Sequence, residues 1–152
     1  MRSLALVVVA CGCLPGPEVG PHQGPTDGSV VLGDASAGCN ADSDPATPVS
    51  FSADIVSGVF VRGKCLSCHT GGGEGVQQSG FNMGSYTLLR AGGQHSGTNI
   101  VINFTPCSSI LVLKVDTSPP FGRRMPYNGP PYLSTTDIQL VRDWIAEGAR
   151  DN

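Results

Sequence analysis

Aromatic side chains are scarce in this sequence: one tryptophan, three tyrosines and five phenylalanines make up 6% of 152 residues. Charge is sparse too, at 14%. The length leaves room for one domain and not for a second large core. With 21 glycines and 12 prolines, part of the chain is expected to stay unpacked. Nor is there a basic stripe: residues 51–152 carry eight Lys/Arg against seven Asp/Glu, which excludes the footprint of a nucleic-acid binder. Long apolar runs are missing as well. The most apolar segment near the start, Leu4–Ala10 (LALVVVA), falls far short of the roughly 20 residues that cross a bilayer.

What that segment does resemble is an export signal, with Arg2 as a minimal positive flank. It runs into ACGC, and VVAC resembles a bacterial lipobox, whose cysteine is lipidated and becomes the new N-terminus. Cys11 fits that pattern best and Cys13 second. An ordinary cleaved signal would give the same destination. The chain is therefore expected outside the cytoplasm, in the periplasm or at the outer membrane or cell surface, lipid-anchored, where thiols can oxidise. Residues 1–13 read as signal and lipobox.

Residues 14–50 read as a flexible Pro/Gly-rich linker. They hold Glu18, Asp27, Asp34, Asp42 and Asp44 with no lysine or arginine, and too few apolar side chains to offset the entropy of ordering them. His22 lies in this tether and reads as a solvated histidine. Organised structure is expected from Phe51 to Asn152, all-α, as four short helices joined by glycine- and proline-rich loops. Ser52 is expected to cap the first, with Ile55, Val56, Val59 and Phe60 as its apolar stripe and Gly63 as its stop. SYTLLRAGG suggests a second, capped by Ser85 and stopped by Gly92, and SSILVLKV after Pro106 a third. The last pattern is the clearest. Ser134 and Asp137 have capping-box spacing, Ile138, Val141, Trp144 and Ile145 share a face, and Gly148 closes the helix. Such a core is thin for about 100 residues, unless something large and apolar fills the centre.

Against this background GKCLSCHTGGG stands out. Cys65, Cys68 and His69 occupy five positions, and Gly71–Gly73 follow. Three chemistries use paired cysteines at this spacing. Zinc needs a second ligand pair, and Cys39 and Cys107 stand alone. Dithiol redox wants a strand before the motif and a helix opening at the first cysteine; here a helical pattern precedes and glycines follow. Covalent haem attachment uses C-x-x-C-H because two thiols so spaced reach the two porphyrin vinyl groups, fixing the next histidine under the iron. Haem would also supply the missing apolar volume.

The sixth ligand separates electron transfer from catalysis. Met1 goes with the signal and Met83 reads as a core side chain. Met125 sits in PPFGRRMPYNGPPYLS, a loop stiffened by five prolines, which suits a weakly binding thioether. His95, in AGGQHSGTN, is the rival and would give a bis-His site. From about Phe51 to Arg150 the chain resembles a small mono-haem c-type cytochrome domain of the kind found in planctomycete and myxobacterial exported proteins. The resemblance rests on CLSCH, RRMPYNGPPYLS and the Trp-bearing last helix. It implies a cytochrome c-like helical fold around haem c, with thioethers at Cys65 and Cys68 and with His69 and Met125 as axial ligands. It also implies an electron carrier rather than an enzyme, serving redox partner proteins, with its first and last helices crossing beside the haem. A five-coordinate haem enzyme or sensor of peroxide or a small gas is the alternative. In one respect the chain departs from mitochondrial-type members. No proline between His69 and Pro106 offers its carbonyl to the imidazole.

Around this centre, Arg123 and Arg124 are candidates for pairing with haem propionates, and Tyr127 or Asn128 for hydrogen bonds near the sulfur or a propionate. Cys39 and Cys107, left over after haem and lipid, are expected to form a disulfide between tether and domain.

Overall fold

The structure, a computed structural model, describes residues 41–44 and 46–152. Cys11, Cys13, His22 and Cys39 lie outside the described residues, and with them the lipid anchor and the Cys39–Cys107 pairing. Among the described residues the protein is all-α, with no strand. A π-helix spans Phe51–Phe60, and α1 Cys65–His69, α2 Glu74–Ser79, α3 Tyr86–Ala91, α4 Ile110–Val115 and α5 Thr135–Ala146 follow. Two single 3-10 turns, Gly97–Ile100 and Pro106–Ser108, lead into α4.

The first helix is capped two residues earlier than expected. Ser50, not Ser52, is the cap: its Oγ accepts from Ala53 N at 3.2 Å while Asp54 Oδ2 accepts from Ser50 N at 2.8 Å. Ser52 is already inside the helix, its amide donating to the Asn152 carbonyl at 2.9 Å. The wide winding shows in Ile55 N, which reaches back to Ser50 O at 3.2 Å. The stripe is as expected on three positions: Ile55, Val59 and Phe60 are buried, with Val56 packed at the edge of the core.

The final helix follows its sequence pattern closely. Ser134 Oγ accepts from Asp137 N at 3.1 Å and donates to Asp137 Oδ2 at 2.9 Å, and Ile138, Val141, Trp144 and Ile145 are buried. Asp137 is held below the ordinary carboxylate range. Burial alone would raise it, but hydrogen bonds from Arg62 and Ser134 outweigh that. Ser85 and Gly92 bound α3 as expected.

The π-helix and α5 pack on each other, and that contact is the centre of the core. Phe51 stacks on Trp144 with centroids 5.1 Å apart, and Tyr86 of α3 meets Phe51 edge-on at 5.3 Å. Both polar handles are satisfied: Trp144 Nε1 donates to Arg150 O at 2.9 Å and Tyr86 Oη to Ala149 O at 2.7 Å. Losing Trp144 to alanine would cost about 3–5 kcal/mol on ordinary cavity arithmetic. Residues before Phe51 join this packing. Val49 is buried and its amide donates to Glu147 Oε2 at 2.8 Å, and Asp42 N donates to Asp143 Oδ1 at 2.9 Å. No helix among the described residues is long and apolar enough to cross a membrane.

Candidate functional site

Cys65, Cys68 and His69 lie on α1, a helix of five residues. The turn that starts it is unusual: Lys64, not a glycine, takes the left-handed conformation (φ 54°). Gly63 before it is needed for a different reason. A Cβ there would come 2.9 Å from Leu133 Cδ2, 3.1 Å from Cys65 Sγ and 3.2 Å from Val59 O. Cys65 is half-buried against the core and Cys68 is exposed, and both are free thiols. Burial pushes the Cys65 thiol up to about 11.

His69 is oriented from two sides. Its Nδ1 lies 3.2 Å from the Phe81 carbonyl oxygen, so Nδ1 carries the proton as donor and Nε2 remains the free ring nitrogen. The backbone carbonyl that the sequence could not supply through a proline therefore comes from Phe81. A second hydrogen bond fastens the same segment, Met83 N to His69 O at 2.6 Å. The Phe81 ring lies tilted against the imidazole at 5.2 Å.

Beneath the ring lies α2, which sequence reading missed. Its backbone can approach because residue 75 is glycine. A Cβ on Gly75 would lie 2.7 Å from His69 Cε1 and 2.8 Å from Nδ1. Gly73 is constrained likewise, with the Cys68 carbonyl oxygen 2.5 Å from the place of its Cβ. Gly71 turns the chain at φ +54°, whereas Gly72 faces open space. So the glycines after the motif do two jobs: one turns, and two let α2 close on the histidine. A signal for α2 was present in Glu74 and Gln78, bonded at 2.8 Å across one turn, and in Gly80 as left-handed stop.

Met125 is half-buried on the proline-rich loop. Lys114 of α4 ties that loop down. Its carbonyl oxygen accepts from Met125 N at 2.7 Å, and its Nζ donates to Phe121 O and Arg123 O, each at 2.6 Å. This role of Lys114 was not visible in the sequence, where it is one lysine on a short helix. Met83 is buried in the core, as expected. His95 is exposed, with its ring 5.4 Å from that of Phe121. Arg123 lies over the Tyr127 ring at 5.1 Å. Arg124 lies over Tyr132 at 4.3 Å and donates from Nε to Val115 O at 2.8 Å.

The proline-rich loop and the turn that precedes the cysteine helix meet along a cleft of about 330 Å³. Arg62, Gly63 and Lys64 form one wall, and Pro126, Asn128 and Pro130–Leu133 the other, with Asp137 at the base. Leu133 Cδ2 and Cys65 Sγ lie 2.9 and 3.1 Å from the place of a Gly63 Cβ, so they are within about 6 Å of each other. The cleft adjoins Cys65 and the residue after Met125; Cys68 and His69 do not line it. Among the described residues, no three His, Cys, Asp or Glu side chains gather as a metal cage. In comparisons with known proteins, no family model, curated protein or solved structure matches the chain.

Proposed function

We propose that this chain is a mono-haem c-type cytochrome, an exported, lipid-anchored carrier of single electrons. The observation that carries the reading is the setting of His69. Its Nδ1 is committed to the Phe81 carbonyl, leaving Nε2 as the only free ring nitrogen, on the helix that also bears two free thiols at vinyl-matching spacing. Haem c bound there would supply a one-electron couple. Cys65 and Cys68 would hold it by thioethers, His69 would bind the iron on one side and Met125 on the other. If His69 and Met125 both held the iron, no position would be left for substrate, which favours a carrier over an enzyme.

The chain's own residues suit these roles. Phe81 fixes the imidazole by a hydrogen bond at Nδ1, and the main chain at Gly75 lies close against Cε1 and Nδ1. Lys114 holds the loop that presents Met125 by one main-chain and two ammonium hydrogen bonds. The dithiol alternative is disfavoured by Cys65. An attacking thiol in such enzymes has a lowered pKa, and burial here raises it to about 11.

The test is expression in a host competent in cytochrome maturation, followed by mass spectrometry and a pyridine haemochrome assay. One haem per chain, a low-spin spectrum and the weak red charge-transfer band of thioether-ligated ferric haem are expected. Met125→Ala should abolish that band and His95→Ala should leave it. A colourless protein refutes the reading. A high-spin wild-type spectrum that binds carbon monoxide readily moves it to the five-coordinate enzyme or sensor. The same mass spectrum reports whether Cys11 or Cys13 carries acyl groups.

A further inference from the structure

Arg123 and Arg124 stand side by side before Met125, yet the fold uses them differently. Arg123 is exposed and lies over an exposed ring, that of Tyr127. Arg124 is half-buried and joins separate parts of the chain. Its Nε donates to Val115 O at 2.8 Å, satisfying a carbonyl that the end of α4 leaves without a helical partner. The next residue, Met125, donates its amide to the preceding carbonyl, Lys114 O, at 2.7 Å. Two adjacent carbonyls of α4 therefore hold two adjacent residues of the loop. The Arg124 guanidinium also lies 4.3 Å from the centre of the Tyr132 ring, which follows Met125 on the outgoing arm. That ring packs tightly on main chain in turn: a Cβ on Gly129 would come 2.5 Å from Tyr132 Cε1 and 2.6 Å from Cδ1.

We infer that Arg124 is a positioning residue for Met125: it clasps the end of α4 to Tyr132 and so fixes where the thioether stands. This is a different role from the propionate pairing that its place in the sequence suggests. Its Nε–H and its guanidinium face are engaged with the chain itself. Lysine could not replace it, having neither the planar face nor a donor at that point of the side chain. The inference rests on the haem reading for what the thioether binds, and on the geometry alone for the clasp.

The test uses the full chain loaded with haem. Imidazole is the probe competing for the sixth position, and hydrogen exchange at the Met125 amide is a readout that needs no haem. Arg124→Leu and Tyr132→Leu should each raise imidazole affinity by about three- to fivefold and speed Met125 amide exchange by a similar factor. The red charge-transfer band should weaken in both. Tyr132→Phe keeps the ring and should stay within about twofold of wild type, as should Arg150→Leu, an exposed arginine elsewhere. The double variant should lose no more than Arg124→Leu alone, because Tyr132 acts through Arg124. If Arg124→Leu fails to take up haem, Gly129→Ala takes its place, since it displaces the Tyr132 ring and leaves Arg124 intact; the same shifts are expected. Effects of Arg124→Leu that Tyr132→Leu does not reproduce overturn the clasp in favour of a charge role such as propionate pairing. Additive losses, or unchanged imidazole affinity and amide exchange, also overturn it. A colourless wild type sinks the cytochrome reading only, and Met125 amide exchange in the same variants then decides the clasp.

Discussion

Replacing Gly75 by alanine tests the geometry around His69 most directly. The added Cβ would sit 2.7 Å from His69 Cε1, 2.8 Å from Nδ1 and 2.9 Å from the Cys68 carbonyl oxygen. Reaching the 3.4 Å of ordinary contact requires ring and helix to part by about 0.7 Å. The imidazole cannot simply retreat, because its Nδ1 is bonded to Phe81 O at 3.2 Å. Overpacking of this kind costs about 1–3 kcal/mol, and losing the Nδ1 bond about 0.5–1.5 kcal/mol. Alanine's better helix propensity returns about 1 kcal/mol. The net loss is about 2 kcal/mol, which lowers the urea midpoint by about 1 M for a domain of this size. Gly72→Ala is the control, since its Cβ would meet nothing within 4 Å. In haem-loaded protein, Gly75→Ala should also displace the proximal imidazole, shifting its NMR resonances and the reduction potential, while Gly72→Ala leaves both in place. Equal urea midpoints for the two variants, with unchanged His69 resonances, would refute the reasoning.

Three further outcomes follow from the same structure. Lys114→Met removes both ammonium bonds to the Met125 loop while keeping the carbonyl that accepts from Met125 N; haem content should stay at wild-type level while the red charge-transfer band weakens, and an undiminished band would release Lys114 from that role. Asp137 has a depressed folded pKa, so its contribution is present above its ordinary value of 3.8 and is lost as pH falls through the folded one. Asp137→Asn should therefore cost on the order of 1 kcal/mol at pH 7, the figure discounted because Arg62 is half exposed, with the difference from wild type vanishing in acid; a difference that persists at pH 2 would contradict this. In haem-free full-length chain at pH 8, a thiol with pKa about 11 is only about 0.1% thiolate, so iodoacetamide should modify exposed Cys68 well before Cys65, and peptide mass mapping that finds equal rates would remove the burial argument.

Two of the helices located from sequence, α3 and α5, have ends marked by side chains, whereas SSILVLKV, which contains α4, was located without any side-chain cap. Ser85 with Gly92, and Ser134 with Asp137, each combine a polar cap with a clear stop or apolar face, and α3 and α5 run between those marks. The first helix was located but misplaced at its start, because Ser50 and Ser52 are both plausible caps by type. What decides between them is long-range: the Asn152 carbonyl takes the Ser52 amide. α2 escaped notice for a related reason. EGVQQS has one apolar residue and a glycine, so no periodicity announces it. Its local marks are the Glu74–Gln78 pair and the Gly80 stop, which a search for apolar periodicity passes over. Likewise the motif residues Cys65, Cys68, His69 and Met125 were legible as types at a spacing, whereas Lys114 and Phe81 were not. Their parts are played by main-chain carbonyls and by an ammonium bonded to main chain, and local sequence does not encode such bonds.

The missing proline after the cysteine motif can now be understood physically. On the proposed reading of His69 as a haem ligand, the histidine needs an acceptor for Nδ1 and something rigid against its ring, and a proline-borne carbonyl in a nearby loop is one way to provide the acceptor. Here the chain turns at Gly71, passes Gly73 close over the Cys68 carbonyl, runs α2 beneath the imidazole and returns to present the Phe81 carbonyl. That route brings main chain against the ring at Gly75 and the acceptor at its edge at Phe81. It works only with glycine where main chain meets ring or carbonyl, at Gly73 and Gly75, so the four glycines of residues 71–75 are not interchangeable. Gly72 can gain a methyl group freely, while Gly73 and Gly75 cannot. A loop that was merely flexible would tolerate alanine alike at all three.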